Sequence, residues 1–230
     1  MRVLGIIPAR SGSKGILNKN IVNLNNKPLI YWTIKEALKS KINKLIVSTD
    51  SQKYKKISLS YGAEVPFIRP KALSKDTSKT IDLVIHAINF YKKKKIYFDY
   101  VMLLQPTCPF RTTKDINHSI NLLRKKNSYK SVISLQKVES FHPARMKFIK
   151  NDTIDDKFFT RNFKDTNRQK LKKIFIRSGL IYLAKTKYIL SKKTLEPKKS
   201  FPYITDSLRS TNIDTKTDLL LAKILAKRFL

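Results

Sequence analysis

Ile6-Ile7-Pro8-Ala9-Arg10-Ser11-Gly12-Ser13-Lys14-Gly15-Ile16-Leu17-Asn18-Lys19-Asn20 is the stretch whose reading decides the fold. The apolar run leading into it, Val3-Leu4-Gly5-Ile6-Ile7, predicts a short buried strand, and Pro8, with no N–H to give to a ladder, ends it. A small-residue loop follows, carrying Arg10, Lys14 and Lys19. Gly12 and Gly15 let the backbone turn sharply and bring its N–H groups close to a ligand. Successive N–H groups in such a turn form an anion-binding concavity, which the cations deepen. The loop reads as a polyphosphate cradle. It is not a Walker P-loop, because no Gly-Lys-Ser/Thr closes it, and Gly12-x-x-Gly15 lacks the first glycine of the dinucleotide fingerprint.

Outward from this loop, strands and helices alternate. Helices are predicted over Lys27 to Lys39, Ser51 to Tyr61, Thr77 to Tyr91, Asp115 to Lys125 and Lys216 to Phe229, from apolar residues at helical spacing. Strands are predicted at Lys44 to Asp50, Glu64 to Pro70, Tyr100 to Leu104, Ser131 to Leu135 and Gly179 to Ala184. The alternation argues one α/β domain over residues 1–230, with a Rossmann-like, mostly parallel sheet and helices on both faces. Ligands bind such sheets beyond the strands' C-terminal ends. The conspicuous polar motifs, Pro8 to Asn20, Ser48 to Asp50, Arg69-Pro70 and Gln105 to Arg111, all fall there. From Lys137 to Arg177 the periodicity breaks, and residues 138–177 are expected to form an insertion.

Composition narrows the partners. Forty-nine Lys and Arg against 16 Asp and Glu leave a net charge of +33. Such charge favours nucleic-acid backbones, but the lysines are spread over every predicted element, and no zinc-finger spacing or basic zipper appears. Nucleic acid is therefore disfavoured as a partner, while the charge attracts anionic ligands generally. One cysteine, Cys108, excludes an internal disulfide framework and fits a reducing cytoplasm. No leader and no membrane-spanning run is expected.

The string Pro8-Ala9-Arg10-x-Gly12-Ser13-Lys14-Gly15-Ile16-x-x-Lys19-Asn20-Ile21 resembles the first motif of the CMP-sialic acid synthetases, the acylneuraminate cytidylyltransferases. Further blocks resemble theirs: Arg69-Pro70-x-x-Leu73-Ser74-x-Asp76-x-Ser78-x-Thr80, Leu103 to Arg111 with Cys108 in place of the usual serine, His142-Pro143, Arg177-Ser178-Gly179-Leu180-Ile181-Tyr182, and Asn212-Ile213-Asp214-Thr215. The resemblance implies a nucleotidyltransferase-type fold whose insertion serves dimerisation. It also implies transfer of CMP from CTP to the anomeric hydroxyl of a nine-carbon keto acid, N-acylneuraminate or legionaminate, with release of pyrophosphate. Pseudaminate and Kdo enzymes are the nearest alternatives. A basic nucleic-acid-binding protein is the alternative of another class.

The same resemblance implies roles for single residues. Arg10, Lys14 and Lys19 neutralise phosphoryl charge, and Ser11, Gly12, Ser13 and Asn20 hold the nucleotide. Arg69 and Thr80 grip CTP near base or ribose. Gln105, His142 and Arg168 contact the sugar. For a metal the expectation is Mg²⁺. Residues two apart in an extended segment point to one side, so Asp214 could bind the cation with Asn212 assisting through its carbonyl oxygen. The competing role for Asp214 is capping of the last helix. Of the histidines, His86 reads as a structural residue on an apolar helix face and His118 as a surface one. Cys108 reads as a spacer after a strand.

Overall fold

The computed structural model of the chain describes residues 1–13, 15–155, 167 and 169–230. Strand β1 (Val3–Pro8) lies inside a six-stranded sheet, between β4 (Lys44–Ser48) and β5 (Tyr100–Leu103), and is parallel to both. Beyond β5 come β9 (Phe175–Lys185), β6 (Ser131–Lys137) and, at the edge, β10 (Ser200–Ile204). β10 runs parallel to β6, whereas β9 is antiparallel to both its neighbours. The chain thus leaves β1 to one side for β4 and later returns to its other side as β5. Such a reversal of strand order opens a crevice at the strands' C-terminal ends. The phosphate-type loop emerges from β1 at that point.

Alternation along the strands divides the core between two faces. Val3 and Ile7 of β1 face a cluster with Ile30 and Ile34 of α1 (Leu29–Leu38), Tyr54 of α2 (Gln52–Ser60), and Ile116 and Leu123 of α4 (Thr113–Lys125). Leu4 and Ile6 face the opposite cluster, with Leu83, Val84 and Ala87 of α3 (Thr80–Lys93) and Ile189 of α5 (Thr186–Lys192). Helices therefore cover both faces. A third cluster seats Ala222 and Ala226 of α6 (Lys216–Phe229) on Trp32, Phe110 and Ile16, beside the small hairpin β2 (Asn23–Leu24) and β3 (Lys27–Pro28).

The differences from the sequence expectations have local causes. The expected strand over Glu64 to Pro70 makes only isolated bridges, Ile46 with Glu64 and Thr49 with Ile68, because Pro66 has no N–H for a continuous ladder. β10 contains Pro202, a residue that reads against a strand and that only an edge position tolerates. The expected helix from Lys27 starts at Leu29, after Pro28 has paired in β3 and serves as N-cap. β9 begins at Phe175, so residues 175–177 of the expected insertion belong to the sheet. Within the insertion a short hairpin, β7 (Phe148–Lys150) and β8 (Thr153–Asp155), is formed. No helix among the described residues is long and apolar enough to cross a membrane.

Candidate active site

The loop after β1 is braced from beneath. Ala9 N–H donates to the Ser48 carbonyl at 2.9 Å, and the buried Asn20 side chain donates to the Arg10 carbonyl at 2.9 Å. Ser11 gives both its N–H and its hydroxyl to Asp50, each at 2.9 Å. Asp50 stands just past β4, where the Ser48 to Asp50 motif was expected to face a ligand. Gly12 would have open space around a Cβ, so nothing in the protein demands a glycine there. Gly15 is different: a Cβ would lie 2.9 Å from the Asp214 carbonyl, so only a glycine lets the loop close onto residue 214.

Arg10, Lys19, Asn20, Ser13, Arg69, Thr80 and Gln105 line one cleft of about 440 Å³ at the C-terminal ends of β1 and β5. Arg10 pairs with Asp76 on its wall, and Lys19 Nζ lies 2.7 Å from Asp214 Oδ1. Arg69 is no surface arginine. It is 3% exposed and donates from Nε to Ser48 Oγ at 3.0 Å and from Nη2 to the Ser48 carbonyl. Burial pulls its pKa down to about 10, against the opposing pull of Asp50, so it stays charged at neutral pH. A charged group fixed at the cleft wall suits an anionic ligand.

Thr80, the first residue of α3, and Gln105 also line a second hollow of about 710 Å³ with Arg177, Gly179, Tyr182 and Asn212. The two chambers meet at that pair. Gly179 makes the junction possible: its φ is +79°, and a Cβ would sit 2.7 Å from Gln105 Oε1 and 2.8 Å from Cys108 Sγ. Arg111, 1% exposed, braces the floor by donating to the carbonyls of Leu180 (2.5 Å) and Gln105 (2.9 Å) and to Thr33 Oγ1 (3.0 Å). Burial lowers its pKa to about 10. No ion-pair partner suggests a role for it in the sequence; only the packed structure reveals this one.

On the far rim, Asn212 and Asp214 do share a side, because Ile213 between them is fully buried and its N–H donates to the Thr107 carbonyl at 2.9 Å. Asn212 Nδ2 donates to Asp214 Oδ2, and Cys108 Sγ lies 3.5 Å from Asn212 Oδ1. Burial pushes the Cys108 thiol up to about 11, so it is no nucleophile at neutral pH. Asp214 does not cap the last helix: Thr215 does, in a capping box with Asp218. Asp214 is thereby left facing the loop.

Some expected residues fall elsewhere. His142 uses both ring nitrogens locally, Nδ1 accepting from Ala144 N–H and Nε2 lying 3.1 Å from the Lys172 carbonyl. It lines a separate hollow of about 480 Å³ that shares no residue with the two chambers, so this chain does not bring it to its own Gln105. His86 packs edge-on to Phe67 on the expected apolar helix face, but its Nδ1 is buried without a hydrogen-bond partner, where a satisfied structural histidine was expected. Lys14 and Arg168 lie outside the described residues. Asp50, Asp76 and Arg111 are the supporting residues that motif reading passed over, although each stands inside a quoted motif.

A cytidylyltransferase family model matches residues 4–226. The chain belongs to the cytidylyltransferase family. Among its relatives, N-acylneuraminate cytidylyltransferase of Escherichia coli is 34% identical over 222 residues, 96% of this chain and 51% of that protein. CMP-N,N'-diacetyllegionaminic acid synthase of Legionella pneumophila is 35% identical over 227 residues, 97% of this chain and 95% of that one. Pseudaminic acid cytidylyltransferase of Campylobacter jejuni is 32% identical over 228 residues, 99% and 97% of the two chains. The chain thus spans about half the length of the E. coli relative and nearly all of the other two. The solved structure of a CMP:2-keto-3-deoxy-manno-octonic acid synthetase matches the whole of this cytidylyltransferase at a TM-score of 0.73 and 15% identity, a likeness of fold.

Proposed function

We propose that this cytidylyltransferase transfers CMP from CTP to the anomeric C2 hydroxyl of a sialic-type nine-carbon keto acid, N-acylneuraminate or legionaminate. The observation that carries the reading is the pair of chambers meeting at Thr80 and Gln105. A triphosphate laid against the loop in the smaller chamber presents its α-phosphorus to an acceptor in the larger one. The sugar hydroxyl attacks that phosphorus, the bond to the β-phosphate oxygen breaks, and pyrophosphate leaves. Such a transfer needs in-line positioning and neutralisation of phosphoryl charge. Arg10, Lys14 and Lys19 supply the cations, Ser11, Gly12, Ser13 and Asn20 shape the loop, Arg69 and Thr80 grip the nucleotide, and Gln105 meets the sugar. His142 and Arg168 belong to the insertion, so we place their sugar contacts in the partner's site of a homodimer. Its interface would use the exposed Phe141, Ile149 and Ile154.

The donor set fits Mg²⁺. Among the described residues no group of three or more His, Cys, Asp or Glu forms an all-protein cage. The Asp214 carboxylate faces the phosphate loop, one oxygen on Lys19 Nζ and the other on Asn212 Nδ2, and Mg²⁺, commonly held by one or two carboxylates together with substrate phosphates, would share the carboxylate with them. When bound there, the ion would supply further charge neutralisation on the phosphates. On the same reading the compartment is the cytoplasm.

Pyrophosphate release tests the proposal, with CTP, Mg²⁺ and, separately, neuraminic, legionaminic, pseudaminic and Kdo acids. Turnover is expected with a nine-carbon acid, with CTP and not ATP, and Arg10→Ala or Asp214→Ala should lower it at least tenfold, the loss of one transition-state charge contact. Silence with every acid from folded protein would sink the reading. Steeply salt-dependent oligonucleotide binding without turnover would install the nucleic-acid alternative.

A further inference from the structure

We infer that Cys108 and Asn212 act as one unit that aims the Asp214 carboxylate at the phosphate loop, with Asn212 a positioning residue. The inference rests on the cytidylyl-transfer reading. Three observations carry it. First, the backbone holds residue 213 rigidly: Ile213 is fully buried and its N–H donates to the Thr107 carbonyl at 2.9 Å. The side chains on either side of it must then project together. Second, Asn212 Oδ1 is turned inward, 3.5 Å from the buried Cys108 Sγ, which also lies 3.4 Å from the Ser178 carbonyl. A thiol carries one weak S–H donor, and the Ser178 carbonyl and the Asn212 amide oxygen share it, both within its reach. Third, with Oδ1 held there, Nδ2 faces outward and donates to Asp214 Oδ2, while Lys19 Nζ takes Oδ1 at 2.7 Å.

Asp214 is 60% exposed, and an exposed carboxylate with no such partners would turn among its rotamers. Here each oxygen is claimed from a different direction, one by the phosphate loop and one by a side chain anchored in the core. The chain of contacts runs from the buried floor beneath Gly179 through Cys108 and Asn212 to the carboxylate that meets the nucleotide's cation. Cys108 acts through Asn212, and Asn212 through its N–H; neither has to touch the cation.

The test follows binding of Mn²⁺·CTP to the whole protein by water-proton relaxation, a readout that needs no sugar acid and no turnover. Cys108→Ala and Asn212→Ala should each weaken binding about tenfold, the usual cost of removing an outer-shell partner. The double variant should be no weaker than either single one. Cys108→Ser keeps a donor at that place and should return binding toward the parent value. Asn212 is at the surface, so its variant tests the idea even if changes at Cys108 disturb the core. Undiminished binding in Asn212→Ala or in folded Cys108→Ala, or losses that multiply in the double variant, would overturn the inference and leave cytidylyl transfer standing. A parent protein that binds no Mn²⁺·CTP would overturn both.

Discussion

Gly179 shows how one residue can connect fold and site. It sits where β9 passes the C-terminal end of β5, with φ +79°, and its missing side chain is the space that Gln105 Oε1 and Cys108 Sγ occupy. Gly179→Ala should cost about 1–2 kcal/mol, from the left-handed backbone and the crowding together. It should also raise KM for the sugar acid, because Gln105 is displaced, and KM for CTP, because Cys108 is displaced with it. Urea unfolding and the two KM values check this; an unchanged KM for the sugar acid would remove Gln105 from the acceptor side. Motif reading noticed Gly179 only as part of Ser-Gly-Leu-Ile-Tyr. Its steric role depends on residues about seventy positions away. Arg111 teaches the same lesson: beside the Gln105 carbonyl of its own motif, its acceptors on Leu180 and Thr33 come from distant parts of the chain.

At the level of elements, the hairpin of β7 and β8 leaves its own apolar side chains uncovered. Ile149, 81% exposed, pairs across it with Ile154, 73% exposed, and Phe141, ahead of it in the sequence, is 81% exposed. Exposed apolar residues grouped in this way mark an interaction surface, and two strands alone are marginal in water. If a second copy covers them, Ile149→Asp with Ile154→Asp should turn a dimer into a monomer in sedimentation, leaving the melting temperature of the α/β body within a few degrees. A dimer that survives both charges places the interface elsewhere. The strongly periodic elements were legible because α1, α3 and α4 present apolar stripes to the sheet and α6 presents one to Trp32 and Phe110. β10 and α5 were not, since an edge strand with a proline and a seven-residue helix leave little periodic signal.

At the scale of the molecule, the half-buried His86 and the buried Asp115 both shape the response to acid. His86 holds its proton less tightly than an unfolded histidine, chiefly through burial and then through Arg69 and Lys93. Its folded pKa is lowered, so the stability it contributes is complete above about pH 6.5 and is lost as the pH falls through the folded value. Asp115 is 3% exposed, and burial alone would raise its pKa. Hydrogen bonds from Tyr203 (2.6 Å), from Arg209 (2.7 and 2.8 Å) and from Thr112 win, and hold it below the usual carboxylate range. Its contribution is present above about pH 4 and is lost below. Urea midpoints should therefore fall in two acid steps, and His86→Gln should remove the first while sparing the second. A single step in the parent would refute the assignment.

What the sequence determined by itself was whatever is encoded locally: the strongly periodic helices and the apolar strands they alternate with, the fully apolar run of β1, and the glycine-rich cationic loop that had to follow a strand. Periodicity and turn chemistry act over a few residues, so they can be read without coordinates. Only the tertiary structure decided which distant residues meet. It set β9 antiparallel between two parallel neighbours, and it turned Asn212 between Cys108 and Asp214. It also used both His142 nitrogens away from the cleft, and joined two chambers at Thr80 and Gln105. Those choices follow from burying apolar surface while satisfying polar groups across long stretches of chain, and no local pattern records that balance.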